Sequence, residues 1–570
     1  MDKRMKIAVI GLSAVLIIVF IAVGLSIKEK LTPSEEVMLL TDYYQVKDTE
    51  IMIILQDRIY ETNGLMDKNT VYVDYRTVAE KFNHRFYWDG RENILTLTTP
   101  TEILRAEAGS KEYSETKTLN STNKKEEYEI VKVFGDQVYI ALDFVGRYSN
   151  LTYEIFDDPN RVIINYEWKE YLATEVTKAT QLRVEPGIKS PILAELPVGA
   201  PLRYVDMEEA PRKGFAKVMT GDGIIGYVKE KYVKKSFYKT MESSFKAPEY
   251  TAQTRQGKIN LVFHQVTNTE AAANLEPLIK ATKGVTVVSP TWFNVLDTTG
   301  AISNIATKEY VDKAAELGLE VWGLVADVNI KVDMGELLSK TSARDTLSNS
   351  LIQAALEYKL NGINIDLETI SSGAGIHFVQ FLREMSVKCR NNGLVLSVDN
   401  YVPAPYNEHY DLEEQAEILD YVIIMAYNEF TGSEEAGPVA SIGFVEDAIN
   451  NTLKAVPKEK TIIAIPFYSK LWKETADGNL TSENLAMTRA ANVFTDNNLE
   501  PEWDEVYGYN YGEYQVDGAT YRIWQEEVKS IEEKMKAIYN AETAGVAAWK
   551  LGLEREEIWD VIIKYLDVVK

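Results

Sequence analysis

Asn361-Gly-Ile-Asn-Ile-Asp-Leu-Glu368 sets polar groups at alternate positions of an otherwise apolar run. In an extended strand successive side chains point to opposite faces, so Asn364, Asp366 and Glu368 share one face, and Ile363, Ile365 and Leu367 share the other. Burying charge on a strand is costly unless it is paired or hydrogen-bonded, so such a row is kept where it meets solvent, a partner or a substrate. A strand with one polar face is most often simply half-solvated. Here the opposite face is wholly β-branched or Leu, residues 344–358 read as an amphipathic helix, and Asn361-Gly362 supplies a helix stop. Helix, tight turn and buried strand predict a βα unit of a parallel sheet, with the polar row as the candidate active site.

With these residues in place, the chain resembles glycoside hydrolase family 18, whose fourth barrel strand carries the pattern DGxDxDxE. Asn361 and Asn364 stand at the first two acidic positions, while Asp366 and Glu368 keep theirs. Further strand-like pieces at 259–266, 285–292, 320–329, 394–402, 421–428, 461–468 and 545–551 bring the total to eight. Helical patterns lie between several of them, at 308–317, 376–391, 444–455 and 526–540. The fold expected is α/β: a (β/α)8 barrel over 258–570 with a small α+β insertion at about 473–544.

Family 18 uses the substrate's own acetamido group as nucleophile. The resemblance therefore implies that Glu368 protonates the leaving glycosidic oxygen, and that Asp366 accepts the acetamido N–H and raises the proton affinity of the acid. Met425-Ala-Tyr-Asn428 looks like the family's M-x-Y-D and gives Tyr427 the role of donor to the acetamido oxygen, with Asn428 replacing an acid by an amide. Trp549, in Ala547-Ala-Trp-Lys550, matches the tryptophan that floors the cleavage subsite. Asn364 and Asn428 are carried over with these as substrate-binding positions. Trp292, in Ser289-Pro-Thr-Trp-Phe293, and Asp399 and Asn400 stand at strand ends, where barrel enzymes build their sites, and are expected to reach the cleft. The aromatic-rich stretch with Trp503, Tyr507, Tyr509, Tyr511, Tyr514, Tyr521 and Trp524 is read mainly as the core of the insertion.

At 570 residues, 45% hydrophobic and 10% aromatic, the chain has material for several cores. A net charge of −25 argues against nucleic acid as a partner. The single cysteine, Cys389, excludes an intramolecular disulfide framework and reads as a small core residue; the four histidines show no metal-ligand spacing, so neither metal nor cofactor is expected. Residues 7–27 are uncharged and follow Lys3, Arg4 and Lys6. Such a run spans a bilayer and leaves residues 1–6 cytoplasmic and the rest outside, as a single-pass anchor; a cleaved signal peptide, with Ala22-Val-Gly24 as a weak cleavage site, is the competing reading.

Between anchor and barrel lies an internal repeat. Residues 71–82, 86–90 and 93–97 are echoed about 67 positions later by 138–148, 153–157 and 161–165, each copy reading strand, short helix, strand, turn, strand. Residues 37–168 are thus a β-rich region similar to the copper amine oxidase N-terminal-like domain of surface proteins, without the histidines a copper site needs. Residues 173–235, punctuated by Pro186-Gly187, Pro197-Val-Gly199, Pro211 and Gly221-Asp-Gly223, resemble a bacterial Src-homology-3-like module, either a binder of cell-wall peptide or a rigid spacer; 241–258 is a linker. The expectation is a cell-surface glycosidase acting on an N-acetylated glycan, peptidoglycan before chitin, resembling the spore-cortex-lytic branch of the family. A non-catalytic glycan-binding protein on the same barrel is the rival.

Overall fold

Alternation organises the barrel. Eight strands, β1 (Ile259–His264), β2 (Val287–Val295), β3 (Glu320–Ala326), β4 (Gly362–Asp366), β5 (Val395–Tyr401), β6 (Tyr421–Met425), β7 (Thr461–Pro466) and β8 (Gly545–Trp549), pair in chain order and close β8 onto β1. Every pairing around the ring is parallel. This computed structural model describes residues 2–205, 214–328, 331–432 and 434–566. Pro211 and Asn329, singled out as turn and strand-end positions, lie outside the described residues.

One face of each strand packs on the surrounding helices, where Ile363, Ile365 and Leu367 join the larger core; the other fills the barrel with Leu261, Phe263, Trp322, Leu324 and Ile423. The helix before β4 runs Thr341–Tyr358 and stops at Lys359, which adopts the left-handed conformation at φ 60°, so the stop comes two residues before Asn361-Gly362. Asn361 Oδ1 instead accepts the Val321 N–H at 2.9 Å, tying the start of β4 to β3. Gly362 is needed for close approach: a Cβ there would stand 2.8 Å from the Val395 carbonyl oxygen and 3.0 Å from Trp322. Gly362→Ala is therefore expected to cost about 1–3 kcal/mol. A denaturation midpoint equal to that of the parent would show that β5 yields to the extra methyl.

Two compact units divide the chain: 1–86 with 108–111 and 126–247, and 87–107 with 112–125 and 248–570. The first contains a helix, Lys3–Leu31, that is exposed along its length and long and apolar enough to cross a membrane. It also holds the sheet that joins the strands opening the two repeat copies, Thr70–Asp74 and Gln137–Ala141, in antiparallel pairing, and a seven-stranded sheet over the Src-homology-3-like region. The later strands of the copies diverge. Arg161–Asn165 pairs with Glu50–Leu55, whereas Phe86–Asp89 and Ile94–Thr98 join a separate five-stranded sheet whose residues from Tyr87 onward belong to the barrel's unit. The span 37–168 is thus shared between units.

Buried ion pairs tie that five-stranded sheet to the barrel's helices. Arg105, from the strand Ile103–Glu107, pairs with Asp345 and with Glu384 on the helices Thr341–Tyr358 and Gly375–Asn391; Arg344 reaches Glu384 at 3.1 Å, and Lys388 reaches Asp345 at 3.1 Å. Asp89 accepts the N–H and the hydroxyl of Thr341, both at 2.7 Å. Cys389, on the same helix, is a buried core residue as expected. Between β7 and β8 the insertion forms a five-stranded sheet with the helix Met487–Asp496. Trp472, Tyr509 and Trp524 form its core with Tyr507 and Tyr511 packed against them, so the aromatic density there is mainly structural.

Candidate active site

The C-terminal ends of the strands open on a pocket of ≈ 770 Å³ lined by Asp366, Glu368, Tyr401, Tyr427, Asn428 and Trp549 among others. Asp366 and Trp549 are the last residues of β4 and β8, and Tyr427 follows β6 by two. The Trp549 ring closes the barrel interior against Phe263, with centroids 5.6 Å apart. Glu368 stands where β4 has ended. Its backbone N–H donates to Asp327 Oδ1 at 2.9 Å, the next N–H, of Thr369, donates to Asp327 Oδ2 at 2.8 Å, and the Tyr410 hydroxyl reaches the Glu368 carbonyl at 3.3 Å. Glu368 is exposed as a residue, yet its carboxyl end lies in the pocket wall. Loss of water there raises its pKa above the usual carboxylate range; Asp327 adds to this and a hydrogen bond from Tyr401 opposes it.

Behind Glu368 the row turns inward. Asp366 has its pKa raised well above the ordinary value, first by burial and then by Asp399, Glu368 and Asp327. Tyr427 is pushed up by burial and by Asp399, Asp366 and Glu368, so its hydroxyl keeps its proton and remains a donor. Asn364 is fully buried: it donates to Asp399 Oδ2 at 2.6 Å and accepts from the Ser397 hydroxyl at 2.6 Å. Asn364 and Asp399 therefore lie beneath the pocket and touch Asp366's surroundings, not the cleft surface where they were expected. Asn428 adopts φ 60°, a left-handed conformation that Asn tolerates, and its Oδ1 accepts from the Tyr468 hydroxyl at 2.6 Å.

Two expected contacts are corrected. Trp292 is 1% exposed and packs edge-on against Tyr310 with centroids 4.9 Å apart, in the core beneath the helices. Asn400 is 3% exposed and exchanges hydrogen bonds with Gln415 at 2.9 and 3.1 Å. On β5 the pocket face belongs to Ser397, Asp399 and Tyr401, so Asn400, between two of them, must point to the helical layer. Residues 281–554 match the Glycosyl hydrolases family 18 profile, over the whole of this site.

The barrel is similar to glycosyl hydrolases family 18 over these residues. Residues 178–234 of the chain match Bacterial SH3 domain, and 55–164 match Copper amine oxidase N-terminal domain. A Bacillus subtilis protein provisionally named the sporulation-specific glycosylase YdhD is 28% identical over 229 residues, 38% of this chain and 53% of that protein. The Bacillus subtilis cortical fragment-lytic enzyme is 25% identical over 245 residues, 41% of this chain and 56% of its own. The chain thus spans about half the length of these curated relatives. Among solved structures, a C-terminal domain from Desulfitobacterium hafniense DCB-2, assigned provisionally to the chitinases, superposes with a TM-score of 0.50 at 18% identity, covering 55% of this chain and 99% of that one; it shares the fold.

Several residues of this pocket and its supports were not singled out from sequence. Asp327 holds the loop that carries Glu368, and Tyr401 and Tyr410 frame the acid from β5 and the segment after it. The usable signal was position: Asp327 follows β3 directly, and Tyr401 ends β5 on the face of Ser397 and Asp399. Tyr468, at the start of the insertion, had no such signal because its partner Asn428 is 40 residues away.

Proposed function

We propose that the chain is a glycosidase that hydrolyses β-1,4 linkages following N-acetylglucosamine, by substrate-assisted catalysis with retention, and that peptidoglycan is its substrate before chitin. The observation that carries this is the meeting of Glu368, Asp366, Tyr427 and Trp549 at one pocket. Glu368 delivers the proton to the leaving oxygen, and the acetamido carbonyl oxygen attacks the anomeric carbon to give an oxazolinium ion. Asp366 accepts the acetamido N–H and faces the positive charge that develops. Tyr427 donates to the acetamido oxygen, and the Trp549 face receives the apolar side of the sugar. Glu429, the other glutamate on the pocket wall, already accepts the Ser441 N–H at 2.6 Å and the Ser441 hydroxyl at 3.0 Å. Water then opens the oxazolinium ion from the freed face.

The bacterial SH3 match, the apolar N-terminal helix and the cortical fragment-lytic relative support a surface-anchored enzyme beside the cell wall, single-pass with its C-terminal domains outside. Incubating the purified full-length chain with peptidoglycan glycan strands and with chitin oligosaccharides tests the substrate. Faster turnover of the chitin oligomers would remove the wall assignment, and an α-anomeric first product would rule out the acetamido route. Tyr427→Phe is expected to lower kcat by roughly 10²-fold, as loss of one preorganised donor does, with KM little changed. Because Glu368 must be protonated to act and its pKa is raised, turnover extends toward neutral pH and falls as the pH climbs past that pKa.

A further inference from the structure

Asn364 leaves β4 without a carboxylate two residues before Asp366, yet a carboxylate stands beside Asp366 all the same. Parallel pairing sets Asn364 opposite Ser397 and Ile365 opposite Val398, so Asp366 and Asp399 are next in register on adjacent strands. Both point into the barrel, on strands about 4.8 Å apart. The Ser397 hydroxyl donates to Asn364 Oδ1, which fixes the amide with its NH₂ toward Asp399 Oδ2. Asn364 is therefore a built donor for the carboxylate of the neighbouring strand. Asp366 Oδ1 and Asp399 Oδ1 are both buried without a hydrogen-bond partner among the described residues.

The titratable groups facing this pair are Glu368 on β4's extension, Asp327 after β3, Tyr427 after β6, and Tyr401 and Tyr410. None of these is a cation. Two adjacent buried carboxylates with no cation facing them resist double ionisation, so the pair retains one proton. Burial raises the proton affinity of both, in accord with that arrangement.

We infer that Asp399 is a positioning residue: it supplies from β5 the second carboxylate that β4 lacks at Asn364, and by sharing a proton it holds Asp366 inside the barrel. The inference rests on the glycosidase reading for what Asp366 does next. Asp366 meets the acetamido N–H as a carboxylate while the proton stays on Asp399, so the pair neither gains nor loses a proton. Asn364 is on this account a relocation of charge, not a loss of it.

The test uses the full-length chain and two readouts. In the Glu368→Gln background, infrared difference spectra at neutral pH are expected to show a protonated-carboxyl band that Asp399→Asn removes and that adding Asn364→Asp restores. In the hydrolytic protein, D399N is expected to move the acidic limb of the kcat profile up by about one pH unit or more, because the Asp366 carboxylate then loses the protonated neighbour that stabilises it. KM is expected to stay within about twofold, and N364D/D399N to return the limb toward its original place. A band and a limb unmoved by D399N, or moved and not restored by N364D, overturn the inference. The band needs no turnover, so a chain that hydrolyses nothing would sink the glycosidase reading while the band alone decides this one.

Discussion

Glu368→Gln is expected to abolish hydrolysis while leaving glycan binding intact, with kcat lower by roughly 10²–10⁴-fold, the contribution of a positioned general acid. The amide is isosteric and keeps the loop contacts, since Asp327 holds that loop through the backbone N–H groups of Glu368 and Thr369. Only the proton is lost. Turnover and glycan affinity measured on the same preparation separate the outcomes. Residual hydrolysis near the parent rate would place the acid elsewhere on the pocket wall, and a parent chain that binds glycan and never cuts it would make the barrel a lectin.

Glu384→Ala is expected to lower the stability of the barrel's unit by roughly 3–5 kcal/mol, the cost of leaving buried charges without their partner. Glu384 is fully buried between Arg344 and Arg105, at 3.1 and 3.2 Å, and also accepts from Gln380 at 3.0 Å. Its removal strands two guanidinium groups, one from a barrel helix and one from the sheet that Phe86–Asp89 opens. Their attraction also holds the Glu384 carboxyl below its usual range despite burial. Chemical denaturation reads the loss. A midpoint shift of under about 1 kcal/mol would mean that Asp345 and the surrounding polar groups take over the guanidinium charges.

Much of the site was legible because strand alternation is a local rule. From the run at Asn361 to Glu368 it follows that Asn364, Asp366 and Glu368 share a face, and the structure turns that face into the barrel. The same rule, applied to β5, separates Asp399 from Asn400, since neighbours on a strand cannot both reach one cavity. Trp292 obeys the same rule: it shares the parity of Val288, which packs in the helical core, whereas Val287 fills the barrel, and the register shift between Thr291 and Phe293 changes the parity only beyond it. The helix stop before β4 fell at Lys359 because Gly362 is spent on contact with Trp322 and Val395.

What the chain's order alone determined was the kind of machine: eight strands with helical patterns between them, a polar row on the fourth, a tyrosine after the sixth and a tryptophan ending the eighth. These depend on residues close together in sequence, where period and motif carry the geometry. What only the tertiary structure decided was which groups act together. Asp399 meets Asn364 across 35 residues, Asp327 meets Glu368 across 41, and Arg105 meets Asp345 across 240. Such pairings are set by strand register and by the packing of distant elements, and no local pattern encodes them.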